Sequence, residues 1–150
     1  MNVKTVDTKE YIFALKSLVE EGKEVRLTIT GGSMSPFLVH GRDTICFSKP
    51  KRQLKKGDMV FYQRENGQYV MHRICRVKKD GYYIVGDAQW RIEGPVPKDA
   101  IFALVTSVRR KGRWIDQKNF WWWFFAHIWI RVIPFRRVIR KAYSGIRRIL

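Results

Sequence analysis

Between residues 24 and 115 the apolar side chains come in short runs, and a glycine or a charged turn closes most of them. In residues 24–30, Val25, Leu27 and Ile29 alternate with Arg26 and Thr28. A period of two over so short a run specifies a strand with one buried face. Further strands are expected at 44–48, 58–63, 69–77, 82–86, 101–109 and 113–115. Lys55-Lys56-Gly57-Asp58, Glu65-Asn66-Gly67, Lys79-Asp80-Gly81 and Lys111-Gly112 supply the turns, and Asn66-Gly67 is a pair favoured in tight hairpins. Many short strands at this spacing predict a mainly β fold, with antiparallel sheets forming a coiled partial barrel.

The two ends differ from this middle. Asp7-Thr8-Lys9-Glu10 has capping-box spacing, Tyr11, Ile12, Leu15, Leu18 and Val19 share a helical face, and Gly22 is a natural stop. An amphipathic helix over 8–21 should therefore lie on a β core spanning 24–115, making residues 1–116 one domain. At Asn119 the composition shifts. Phe120 to Ile130 is an 11-residue run broken only by His127, and an Arg-rich segment follows Pro134. Residues 117–150 are expected to form a separate helical module, kinked at Pro134.

Charge sharpens that expectation. The chain carries a formal +17, and residues 117–150 hold eight Lys/Arg and no acid. So basic a balance points to anionic partners, either a membrane surface or nucleic acid. The apolar run falls short of the ~20 residues a membrane-spanning helix needs. Aromatic rings followed by arginines fit a helix lying in the interface of an anionic membrane. Trp121, Trp122, Trp123, Phe124 and Trp129 are the expected interfacial rings, and Arg136 and Arg137 the headgroup ligands. Packing of this segment on the domain is the second reading and nucleic-acid binding the third. Acids at Asp7, Glu10, Glu20, Glu21 and Glu24 interrupt any secretory h-region near the start. The expectation is a peripheral protein on the cytoplasmic face of the inner membrane, although the sequence does not fix the side. Cys46 and Cys75 each sit in a strand-like run and are expected to be buried free thiols.

Three segments carry side chains suited to chemistry. Gly31-Gly32-Ser33-Met34-Ser35-Pro36 places a serine on a sharp strand exit. The glycines let backbone come close, and Ser33 gains an exposed hydroxyl beside free N–H groups, the needs of a nucleophile and an oxyanion site. Gly31, Gly32 and Met34 complete that loop. His72, within Tyr69-Val70-Met71-His72-Arg73-Ile74, is the candidate general base. Asp87 and Glu93, after the next strand, are the acids that could orient the imidazole.

Taken in order, these segments resemble the signal peptidase superfamily, which includes the bacterial leader peptidases, the endoplasmic-reticulum and archaeal signal peptidases, and the self-cleaving SOS repressors. The resemblance runs from about Thr28 to Val108. Gly32-Ser33-Met34-Ser35-Pro36 resembles the nucleophile box, and Lys56-Gly57-Asp58-Met59-Val60-Phe61 a following strand. Val70-Met71-His72-Arg73-Ile74 resembles the base box and Gly86-Asp87 the last. Histidine where the bacterial branch has lysine is similar to the endoplasmic-reticulum and archaeal branch, in which serine, histidine and an acid act together. Departures are Arg42 inside a usual Gly-Asp pair, Gly31 where leader peptidases often carry a hydroxyl, Trp90-Arg91 within the last box, and Glu93 in place of an aspartate.

The resemblance implies a serine endopeptidase that removes signal or leader peptides. Ser33 would attack a peptide carbonyl as His72 takes its proton, and water would resolve the acyl-enzyme. The substrate would bind as an extended strand with small residues in its pockets. No metal or cofactor is implied. The alternative is a non-catalytic module of the same fold that binds anionic lipid or nucleic acid through its basic tail. A repressor-type autoprotease is disfavoured, because only 32 residues precede Ser33.

Overall fold

The computed structural model describes residues 8–149, with side chains placed for 9–142. The capping-box acceptor Asp7, the terminal Leu150, and the side chains of Ile146, Arg147 and Arg148 lie outside what it describes. The elements in chain order are α1 (Thr8–Glu20), β1 (Val25–Thr28), β2 (Thr44–Ser48), β3 (Met59–Gln63), β4 (Tyr69–Lys78), β5 (Gly81–Val85), β6 (Glu93–Val96), β7 (Ile101–Arg110), β8 (Arg113–Ile115), α2 (Phe120–His127) and α3 (Arg136–Ile149). Short 3₁₀ turns cover Lys98–Ala100 and Trp129–Phe135.

The β-rich fold is mainly one antiparallel sheet of eight strands in the order β1-β2-β7-β3-β4-β5-β6, with β8 on β7; the sheet does not close into a barrel. Its central strands are buried on both faces. On β3, Met59 and Phe61 enter a core built with α1 and α2, while Val60 and Tyr62 enter a second core with Ile74, Ile84 and Leu104. Strands so placed lose the apolar-polar alternation of a half-buried strand. β6 was not expected from the sequence. It contains Pro95, which cannot donate to a ladder, and it accordingly occupies an edge of the sheet. Cys46 and Cys75 are buried and unpaired, as expected.

The C-terminal segment corrects the expectation of a separate module. Trp122, Phe125 and Ala126 of α2 belong to the main core together with Phe37 and Ile45. Ile130 and Ile133 cover Cys75 and Val85. Three of the seven residues assigned to the membrane therefore serve the interior. Trp122 is buried, Trp129 gives its indole N–H to the carbonyl of Asp87, and Arg136 is 2% exposed. Trp121, Trp123 and Arg137 face outward, beside exposed Phe120 and Phe135, and Phe124 is half-buried. The physical reason is helical spacing. Trp122, Phe125 and Ala126, three and four residues apart, share one face of α2, and Trp121 and Trp123 fall outside it.

Candidate active site

The loop after β1 carries Ser33, and two contacts fix its shape. The N–H of Gly31 donates to Nδ1 of His40 at 2.8 Å, and the N–H of Ala88 donates to the carbonyl of Ser33 at 2.9 Å. Gly31 has φ +83°, a backbone conformation open to glycine and costly for other residues. Met34, Phe37 and Leu38 are buried and anchor the loop in the main core. The hydroxyl of Ser33 and the N–H groups of Ser33 and Met34 have no hydrogen-bond partner among the described residues.

The turn at 86–89, which follows β5, meets this loop directly. A Cβ on Gly86 would lie 2.5 Å from the carbonyl oxygen of Ser33, so no larger residue fits without moving backbone. The turn is held from three directions. Arg73 binds the Asp87 carboxylate through Nε at 2.8 Å and Nη2 at 2.9 Å, and its Nη1 donates to the carbonyl of Gly57 at 2.9 Å. Trp129 Nε1 donates to the Asp87 carbonyl at 2.7 Å. Arg136 Nη1 donates to the carbonyls of Gly86 and Gln89 at 3.1 and 2.9 Å, while its Nη2 reaches the Trp129 carbonyl at 2.9 Å. Burial lowers the Arg136 pKa to about 10, which leaves it charged at neutral pH.

His72 reaches the same place from β4. It immediately precedes Arg73, whose ladder partner Val85 immediately precedes Gly86. Ser33 and His72 accordingly line one cavity of about 320 Å3, together with Gly31, Met34, Gln68 and Gln89. The imidazole is 6% exposed. Burial, and then the positive charge of Arg64, hold its pKa down at about 4, against a smaller upward pull from Glu93 and Asp87. At neutral pH it is thus uncharged, the state that accepts a proton. No described residue hydrogen-bonds either ring nitrogen, and no bond joins it to the Ser33 hydroxyl. Catalytic hydrogen bonds are often formed only when substrate is bound.

The two candidate acids have other partners. Asp87 is wholly buried and bound to Arg73. Glu93 accepts from Arg64 Nε at 2.7 Å and from the Tyr62 hydroxyl. Neither carboxylate hydrogen-bonds His72, although both act on it through space. Burial, and then the Glu93 carboxylate, push the Tyr62 pKa up, so its hydroxyl stays protonated.

Several residues of this arrangement were not picked out from the sequence. His40 contacts Gly31 from nine positions away, a spacing with no periodic meaning. Tyr62 and Arg64 sit in an ordinary strand and its exit. Arg73 follows His72 inside the base box, and a fully buried arginine could have been sought a partner there. No group of three or more His, Cys, Asp or Glu side chains able to hold a metal occurs among the described residues. Comparison of the chain with protein-family models, with curated proteins and with solved structures finds no match.

Proposed function

We propose that the protein is a serine endopeptidase of the signal-peptidase type, removing signal or leader segments from precursor polypeptides. The observation that carries this reading is the shared cavity, in which Ser33 and an uncharged, unpartnered His72 stand beside two free backbone N–H groups. An extended peptide entering that cavity would bring its carbonyl carbon to Ser33 Oγ. His72 would take the hydroxyl proton, and the N–H groups of Ser33 and Met34 would receive the developing oxyanion. His72 would then pass its proton to the leaving amine, and water would deacylate Ser33 by the same route reversed. Glu93 is the better candidate for stabilising the imidazolium, because its upward pull on His72 is the larger of the two carboxylates'.

The second part of the proposal concerns place. Phe120, Trp121 and Trp123 form an outward aromatic face, with Arg137 also exposed. We assign it to the surface of an anionic membrane. No helix among the described residues is long and apolar enough to cross a membrane.

The test is cleavage of fluorogenic peptides carrying small side chains before the scissile bond. Wild-type protein should hydrolyse them, and Ser33→Ala should be inactive with an unchanged melting temperature. No hydrolysis by the wild type would leave the non-catalytic reading in its place, and equal activity in Ser33→Ala would remove Ser33 as the nucleophile.

A further inference from the structure

His72 stands between two cavities. Together with Arg64 and Gln89 it lines both the Ser33 cavity and a second, larger one of about 530 Å3. The wall of the second cavity includes Trp90, Arg91 and Arg140, the last supplied by α3. Trp90-Arg91 is the pair that departs from the family resemblance, and the cleavage chemistry makes no use of it.

The charges here are unbalanced. Glu93 is the only acid in the lining, and it is taken up by Arg64 and the Tyr62 hydroxyl. Arg91 and Arg140 are exposed and meet no carboxylate among the described residues. Trp90, 41% exposed, offers an apolar plane next to them. Guanidinium forks match a carboxylate in shape as well as charge.

We propose that this cavity is a specificity subsite for an acidic side chain, aspartate or glutamate, of the polypeptide being cut. Arg91 and Arg140 hold the carboxylate, and Trp90 covers the methylene stem. The occupant is the substrate, not a lipid headgroup, because Arg64, His72 and Gln89 face both cavities. A group bound in the second is therefore continuous with a chain lying against Ser33. The assignment rests on the serine-peptidase reading.

The experiment uses a fluorogenic peptide series that differs at single positions flanking the scissile bond, with Glu, Ala or Lys at each. One position should show about a tenfold preference in kcat/KM for Glu over Ala, with Lys poorest. Arg91→Ser combined with Arg140→Ser should abolish the preference while the Ala peptide is cut as before. Lys49→Ser combined with Lys51→Ser, an equal loss of charge at exposed sites away from the cavity, should leave it intact. Absence of any acidic preference, or its equal loss in the lysine control, overturns the subsite. Inhibition by phosphatidylglycerol vesicles that the arginine variant relieves, without acidic preference, would assign the cavity to a headgroup and overturn it too. Failure of the wild type to cut any peptide overturns the peptidase reading itself, and the subsite with it.

Discussion

Arg73 and Asp87 face each other with no exposed side-chain surface, joined by parallel hydrogen bonds of 2.8 and 2.9 Å. The pair ties β4 to the turn that receives Ser33. Removing one partner from a buried ion pair leaves an uncompensated charge and costs about 3–5 kcal/mol. Asp87→Asn should therefore lower stability by roughly that amount in urea titrations. An activity loss with unchanged stability would instead make Asp87 the orienting acid of His72.

Glu93→Gln makes the opposite pattern. Its carboxylate is half-exposed, so its pair with Arg64 contributes little to folding, about 1 kcal/mol or less. Peptide hydrolysis should fall about tenfold or more through loss of the charge that favours imidazolium. An unchanged rate would remove Glu93 from the mechanism.

Arg136 and Trp129 are positioning residues. They reach Ser33 through the backbone of the 86–89 turn. Arg136→Met deletes three hydrogen bonds to carbonyls and should cost about 3 kcal/mol. Trp129→Phe keeps the ring and removes the bond to Asp87. It should lower kcat about 10- to 100-fold with KM little changed, since small displacements at a reacting centre are costly. Parallel changes in kcat and KM at constant stability would argue for substrate contact.

His72 fixes a pH dependence. Its folded pKa of about 4 lies below the ordinary 6.5, so the unfolded chain binds the extra proton between those values. The contribution is complete above about pH 6.5 and falls as pH drops toward 4, on the order of 3 kcal/mol in all. His72→Gln should flatten this part of the stability profile, measured by urea unfolding at pH 4.5 and 7. The acid limb of kcat/KM in the wild type should lie near pH 4, not 6.5, because the free enzyme's base titrates there.

How much of this could be read from the sequence follows from the range of each interaction. Strands β1, β2, β3, β4, β5, β7 and β8 were legible because turn residues and alternation are local signals. β6 was hidden by Gly94-Pro95, which reads as a turn and is an edge strand. In Phe120–Ile130 nearly every side chain is apolar, so no polar face marks which rings point inward. The core and the 86–89 turn decide that, taking Trp122, Phe125 and Trp129. Ser33 and His72 were picked from local chemistry, but their shared cavity is set by the β4–β5 register. Arg73 and Asp87 were hardest to weigh, because a charge inside a strand reads as solvated until its partner 14 residues away is placed.

The most direct measurement is the position of the covalent adduct formed with a peptidyl diphenyl phosphonate, located by tandem mass spectrometry. A single adduct on Ser33 is expected. Ser33→Ala should give none, and His72→Gln should give almost none while remaining folded. An adduct on another residue, or labelling of Ser33 at full rate in His72→Gln, would contradict the pairing of this serine with this histidine.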